Sequence, residues 1–415
     1  MLSDVRSGAH RGVVVDSPPG AGKSTLVVRA AAELAASGDP LMVVAQTNEQ
    51  VDDLVDRLAR RAPALRIGRL SAADYRPSDR VGGHQTVRVA AKVADLGGPA
   101  VTIGTAAKWA TVTEGTWPWA ILDEAYQMRA DALLRVAGRF ERALFVGDPG
   151  QLDPFSTVET ARWTGLTWDP MQSAVATLLR HNPELPVSWR LPASAAPVVS
   201  AAFYPFTGFR AGTGPADRAL TFTEPGPGDG YDASVELAAA TGWALHELPA
   251  RHTVRTDAEA AAACAELALR VLARGAVAVS EAAPGGAPVT ADRIAVGAAH
   301  RDQVAAVRAR LGAAGAGVTV DTANRLQGRE YDVTIVLHPL SGRRDATAFH
   351  LESGRLCVLA SRHRHACVVV TRAGIGELLD AYPSTDRVHL DVPVRFPDGW
   401  EANQTVLTHL DAHRP

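Results

Sequence analysis

GVVVDSPPGAGKST, residues 12–25, decides the fold. Gly12-Val13-Val14-Val15 reads as a buried strand, Ser17-Pro18-Pro19-Gly20-Ala21-Gly22 as a glycine-bearing turn, and Lys23-Ser24-Thr25 as the first turn of a helix. That order builds a phosphate cradle. Backbone N–H groups of the turn and of the helix N-terminus point at the anion, Lys23 neutralises the outer phosphates, and Ser24 offers a hydroxyl to Mg²⁺. Ser17 occupies the first position of G-x-x-x-x-G-K-[ST], where it is small enough for the turn to close. The expected nucleotide contacts are Pro19, Gly20, Ala21, Gly22, Lys23, Ser24 and Thr25, and the loop requires a parallel sheet behind it.

Working outward, the rest of the first half supplies that sheet. Short β-branched runs at 13–15, 41–45, 101–104, 120–122 and 143–146 alternate with helical patterns, the signature of a parallel sheet with helices on its faces. The pattern predicts helices over 23–36 and 49–61, the second with Val51, Leu54, Val55 and Leu58 on one face. A breaker cluster at 223–230 reads as a loop or domain junction. A second block repeats the α/β alternation: helices over 192–204, 256–274 and 301–311, and strands at 294–297, 318–320, 333–337 and 366–370. Residues 280–290 read as a flexible Gly/Pro loop. The expected fold class is therefore α/β, two tandem sheet domains with a nucleotide cleft between them. The predicted boundaries are 1–187, with insertions at 66–99 and 155–186, then 188–382, then a C-terminal tail over 383–415.

Composition sets the bounds. The 415 residues allow about two to four domains, and 47% hydrophobic with 21% charged residues is an ordinary globular balance. A net charge of −3 announces no nucleic-acid partner globally, so such a partner needs a local basic groove. Three scattered cysteines, Cys264, Cys357 and Cys367, form neither a C-x-x-C pair nor a disulfide framework and fit a reducing cytoplasm. With no leader pattern and no apolar run of membrane length, a soluble cytoplasmic monomer without a membrane partner is expected.

Companion motifs narrow the chemistry. Ala120-Ile121-Leu122-Asp123-Glu124-Ala125 sets two carboxylates at the end of an apolar strand, where Asp123 can hold the Mg²⁺ shell and Glu124 can polarise an attacking water. Ala143-Leu144-Phe145-Val146-Gly147-Asp148-Pro149-Gly150-Gln151 ends another strand in a polar turn, and Gln151 is placed to sense the γ-phosphate. Either element alone also suits an ordinary acidic loop or β-turn.

The order of these segments resembles a superfamily 1 helicase, nearest the branch of the nonsense-mediated mRNA decay helicase and the eukaryotic replication helicase-nuclease. Ser17–Ser24 is similar to G-P-P-G-T-G-K-S except at its first and fifth positions, and Asp123–Gln127 to D-E-A-x-Q. Residues 147–154 are similar to G-D-x-x-Q-L-x-P. Residues 43–55 resemble A-x-[ST]-N-x-A-V-D-x-L, which implies that Thr47 and Asn48 touch a nucleic-acid backbone; residues 101–106 resemble V-x-x-G-T, implying the same for Gly104 and Thr105. Ser188-Trp189-Arg190-Leu191-Pro192 with Phe203-Tyr204 resembles Y-R-M-x-P…F-Y, with Arg190 reaching the γ-phosphate. In the strand–helix over 294–311 only Gln303 matches the family's T-P-[YF]-x-x-Q nucleic-acid contact well, beside His300 and Arg301. Residues 320–332 resemble V-x-T-V-x-x-F-Q-G-x-E-x-D, placing Gln327, Gly328, Arg329 and Glu330 at the nucleotide. Residues 355–364 resemble R-L-N-V-A-L-T-R-A-R, and Arg362 falls on the arginine finger. The family's glutamine-bearing segment upstream of the loop, which reads adenine, has no counterpart in residues 1–11.

The resemblance implies two RecA-like domains, ATP and Mg²⁺ as cofactors, single-stranded or duplex DNA or RNA and accessory proteins as partners, and 5′→3′ movement. The expected function is an ATP-dependent helicase or translocase; the alternative is an ATP-hydrolysing nucleic-acid-binding switch that does not unwind processively. Trp109, Trp117, Trp119, Trp163, Trp168 and Trp189 can serve as base-stacking platforms or as core. His363-Arg364-His365 lacks ligand partners at metal spacing.

Overall fold

The computed structural model describes residues 2–7, 10–152, 175, 185–205, 208–254, 256–382 and 398–415. The 155–186 insertion lies outside them apart from Val175, Leu185 and Pro186, as do Trp163 and Trp168. The described chain divides into two compact units. The first holds residues up to Ser17, Gly22–Pro149, Val175 and Leu185; the second holds Pro18–Ala21, Gly150–Leu152 and the described residues from Pro186 onward.

In the first unit, seven strands are formed: β1 (Gly12–Asp16), β2 (Leu41–Ala45), β3 (Ile67–Leu70), β4 (Val87–Ala90), β5 (Val101–Thr105), β6 (Trp117–Asp123) and β7 (Phe140–Gly147). They pair in parallel in the order β1-β7-β6-β2-β5-β3-β4. Parallel strands buried on both faces carry apolar residues at odd and even positions alike. Val13, Val15, Val43, Ile121 and Leu144 pack with Val27, Leu34, Val51 and Leu58 of the helices Lys23–Ala35 and Asn48–Arg61. Val14, Met42, Val44, Leu122 and Phe145 pack on the other face with Trp109, Leu133 and Val136. The stretch read as an insertion at 66–99 is part of the sheet: it contributes β3 and β4 to one edge.

In the second unit, β8 (Val187–Ser188) pairs with β9 (Arg210–Ala211). A three-stranded antiparallel sheet joins β10 (Ala219–Phe222), β12 (Ala276–Ser280) and β13 (Ala283–Pro288). A five-stranded parallel sheet joins β11 (Trp243–Leu248), β14 (Ile294–Ala298), β15 (Thr319–Thr322), β16 (Tyr331–Leu337) and β17 (His363–Arg372) in the order β11-β17-β16-β14-β15. One face of that sheet buries Ala260, Cys264, Leu267 and Val271 of the helix Ala258–Ala273. Leu356, Leu359, Val199, Ala402, Val406 and Leu410 fill the other. Two expectations are corrected here. The Gly/Pro stretch is not a loop but the β12–β13 hairpin. Part of the C-terminal tail is the helix Gly399–Asp411, whose apolar face completes this core.

Both units are RecA-like in architecture, a parallel sheet between helical layers. Among the described residues no helix is long and apolar enough to cross a membrane.

Candidate nucleotide site and nucleic-acid contacts

β1 delivers the chain to the phosphate loop at a strand end, and Ser17 N–H ties that end to Gly147 O of β7 at 2.8 Å. Gly20 (φ 73°) and Gly22 (φ 89°) take left-handed backbone that L side chains rarely adopt. The helix that follows has no side-chain N-cap and no acidic residue in its first turn. Its leading N–H groups and positive dipole end are thus left for an anion. Ser17 Oγ is buried with no hydrogen-bond partner among the described residues.

Beside the loop stands a dense carboxylate cluster. Lys23 Nζ meets Glu124 Oε1 at 2.6 Å. Asp123, Glu124 and Asp148 are 4%, 4% and 2% exposed. Burial works against the Lys23 charge, but Glu124, Asp148 and Asp123 outweigh it and hold the ammonium above its ordinary pKa. Burial first, then the Glu124 charge, pushes Asp123 up to about 7, with Lys23 opposing. Glu124 is the sole non-glycine with positive φ (53°) among the described residues. Its N–H donates to Asp123 Oδ1 at 3.0 Å, and Gln127 Nε2 donates to its Oε2 at 3.0 Å. Backbone strain at that position costs about 1–3 kcal/mol and is held by the surrounding contacts.

Three buried carboxylates around one ammonium carry excess negative charge. A divalent cation relieves that excess, and Mg²⁺ is bound through one or two carboxylates plus substrate phosphates. Asp123 and the Ser24 hydroxyl are the residues that would hold it. Two further side chains brace the site that the sequence reading passed over. Tyr126 Oη donates to Asp16 Oδ1 at 2.5 Å, and its ring lies where a Cβ on Gly147 would come within 2.8 Å of Cδ2. Asp148, directly after the end of β7, acts on the Lys23 ammonium, and its place next to a strand end is the sequence signal for it.

The loop apex packs as part of the second unit. Ser188 Oγ donates to Pro19 O at 2.6 Å, and Trp189 N–H donates to Gly20 O at 2.9 Å. A Cβ on Gly20 would fall 2.2 Å from Arg190 Cβ, so glycine is required there by contact as well as by φ. Arg190 is 8% exposed; its Nε donates to Glu330 Oε2 at 3.3 Å and its Nη1 to Ser361 O at 3.4 Å. Gln327 Nε2 donates to Gln151 Oε1 at 2.9 Å, joining two residues expected at the nucleotide. Gly150 lies against Tyr204, where an added Cβ would sit 2.5 Å from Cζ, which accounts for the tyrosine of the F-Y pair. Gly328 (φ 77°) turns the chain in open space, and Arg329 is exposed.

Arg362 is placed differently from a presented finger. It is 1% exposed, and its guanidinium donates to Val358 O at 3.0 Å and Ser361 Oγ at 2.9 Å. The residues expected on nucleic acid have tasks inside the fold. Thr47 caps the helix Asn48–Arg61, accepting from Gln50 N–H, and is exposed. Asn48 Oδ1 accepts from buried Arg69, which also pairs with Asp52. Gly104 lies against Trp109, and buried Thr105 accepts from Lys108 N–H. Buried Gln303 accepts from His300 N–H. Trp109, Trp117 and Trp119 are core, whereas Trp189 is 59% exposed. Among the described residues no His, Cys, Asp and Glu group has the form of a dedicated metal cage. His365 instead pairs with Asp332 at 3.0 Å.

A phosphate loop on one RecA-like sheet, followed by a second such sheet, defines a P-loop NTPase of the two-domain type. Residues 1–165 match a family model described as an AAA domain, and residues 249–374 match a second AAA-domain model. The two matches fall on the two blocks that carry the ordered motifs, one in each half of the chain, and they support the resemblance to superfamily 1 helicases. Among solved structures it is similar to the arterivirus nonstructural protein 10 helicase (14% identity, TM-score 0.46), covering 89% of this chain and 61% of that one. It is also similar to the PRRSV helicase (15%, 0.46; 94% and 60% covered) and to an arterivirus nonstructural protein 10 complex with DNA (13%, 0.47; 91% and 64%). The chain thus spans about three fifths of the length of these helicases. No curated protein sequence matches it.

Proposed function

We propose that this protein is an ATP-dependent nucleic-acid motor, hydrolysing ATP and moving along single-stranded DNA or RNA. The observation that carries the reading is the Lys23–Glu124 pair at 2.6 Å beside buried Asp123 and Asp148. Lys23 is paired with the carboxylate proposed to handle water. A triphosphate on the uncapped helix N-terminus competes for that ammonium. Lys23 moves to the phosphate oxygens, and Glu124, still held by Gln127, is released to orient and deprotonate the attacking water. Ser24 and Asp123 would hold Mg²⁺, which when bound would neutralise charge on the phosphates. Gln151, supported by Gln327, is the γ-phosphate sensor, and Arg190 stabilises the charge developing on the transferred group. Arg362 has to leave Val358 O and Ser361 Oγ to serve as a second finger.

Thr47 and Asn48, at an exposed helix start, are the strongest of the proposed backbone contacts. The exposed Trp189 ring, next to the loop apex, is a proposed stacking surface. A cytoplasmic monomer is part of the proposal; the three separate, buried thiols are in keeping with the reducing compartment. The test is ATP turnover with and without single-stranded oligonucleotide, followed by strand displacement. Stimulated turnover with displaced strand is the expected result. Stimulated turnover without displacement leaves the switch, and turnover indifferent to oligonucleotide removes the nucleic-acid reading.

A further inference from the structure

Arg190 belongs to a closed circuit of charges. Its Nε meets Glu330 Oε2 at 3.3 Å, and the other Glu330 oxygen meets Arg364 Nη1 at 3.2 Å. Arg364 Nη2 lies 3.7 Å from Glu281 Oε2, and Glu281 Oε1 lies 3.0 Å from Arg218 Nη2. Arg218 closes the circuit on the Arg190 main chain: Nη2 donates to Trp189 O at 2.6 Å and Nη1 to Arg190 O. The Arg218 side chain is 4% exposed, and Nη1 also reaches Arg364 O at 3.3 Å. Glu281 stands in the tight turn of the β12–β13 hairpin, and Arg218 directly precedes β10. Both partners of this pair, a buried arginine and a half-exposed glutamate, therefore border strands of the three-stranded sheet, outside every motif that identifies the nucleotide site.

We propose that Arg218 and Glu281 are positioning residues for Arg190, with the three-stranded sheet serving as the brace that sets the arginine for phosphate contact. The chemistry is specific to a guanidinium. Its planar fork bonds two successive carbonyls on one side and a carboxylate on the other, which a lysine ammonium cannot reproduce. Two consecutive carbonyls fixed in this way define the backbone direction at Trp189 and Arg190, and so the exit vector of the Arg190 side chain. Displacements of about 1 Å at a catalytic group cost on the order of 10²-fold in rate.

The inference rests on the proposed role of Arg190, and a double-mutant cycle in the full chain separates the two. ATP turnover is measured for Arg190→Ala, Arg218→Met, Glu281→Gln and each double variant with Arg190→Ala. The expected result is a kcat loss of about 10-fold or more for Arg218→Met and about 2–5-fold for Glu281→Gln, with KM for ATP changed less than about 2-fold. In the Arg190→Ala background both losses vanish. Multiplicative losses in the double variants overturn the positioning role while leaving Arg190 in place. An Arg190→Ala variant with unchanged kcat overturns the role of Arg190 itself, and the inference with it. Should Arg218→Met fail to fold, the half-exposed Glu281 carries the cycle alone, because its substitution removes charge without removing volume.

Discussion

Glu124 is where local strain and chemistry coincide. Its left-handed backbone follows from the turn by which β6 ends, and its carboxylate divides between Lys23 and Gln127. Replacing Glu124 by Gln leaves the hydrogen-bonding shape and removes the base, so kcat is expected to fall by about 10²–10⁴. ATP affinity is expected to hold or rise, because Lys23 loses its competing anion. Single-turnover kinetics with a nucleotide-binding titration checks both halves, and a matching loss of affinity would contradict the competition. Gly20→Ala is a sharper test of backbone. A side chain at φ 73° that also meets Arg190 at 2.2 Å is expected to abolish turnover and lower stability by about 1–3 kcal/mol, read by denaturant unfolding. Gly20, Lys23 and Asp123 were legible in the sequence because their reasons are local. The Lys23–Glu124 pair, the Tyr126–Asp16 bond and the burial of Arg362 were not, since each depends on what the fold brings alongside.

Strand ends and edges carry the same lesson at the level of elements. The central strands could be read because parallel strands buried on both faces leave continuous apolar runs. Edge elements leave no such trace: β4 alternates poorly, with exposed Arg88 and Val89, and β13 is largely glycine and proline. From sequence alone both therefore read as insertion or loop. The helix Gly399–Asp411 is hard to read for another reason: its face toward this core carries only Ala402, Val406 and Leu410, while Trp400 and Leu407 turn to a separate small cluster. Yet Ala402, Val406 and Leu410 are at most 2% exposed. Leu410→Ala is expected to destabilise the second unit by about 2–5 kcal/mol, measured by chemical denaturation. A change below about 0.5 kcal/mol would show that the helix is peripheral.

Among the described residues, the histidines whose pKa burial lowers lie in one unit. Burial lowers His338 to about 4; burial, then His365 and neighbouring arginines, lowers His363 to about 3. His350 and His409 are lowered to about 4, again chiefly by burial. All four belong to the second unit. A histidine whose folded pKa is depressed contributes stability that is complete above its unfolded value near 6.5. That stability is lost as pH falls through the window down to the folded value, because the unfolded chain takes up protons first. At pH 5 the loss is about 2 kcal/mol for a residue such as His338. Thermal unfolding is therefore expected to show the second unit losing stability between pH 7 and pH 5, with proton uptake on unfolding. A Tm unchanged over that range would contradict the placement of these rings. Charged pairs of the same unit extend the trend: Arg270 and the hydrogen bonds at the helix start hold Asp229 down at about 2, so its contribution is lost only as pH falls below about 4.

The most direct test of the central claim, that ATP cleavage at the Lys23–Glu124 site is coupled to a nucleic-acid strand, is the steady-state ATPase rate of the full chain titrated with single-stranded DNA and RNA at fixed salt, beside Lys23→Ala. A saturable rise in kcat with at least one polymer, and no turnover in the variant, is expected. A rate that neither polymer changes, or one that survives loss of Lys23, would contradict that claim.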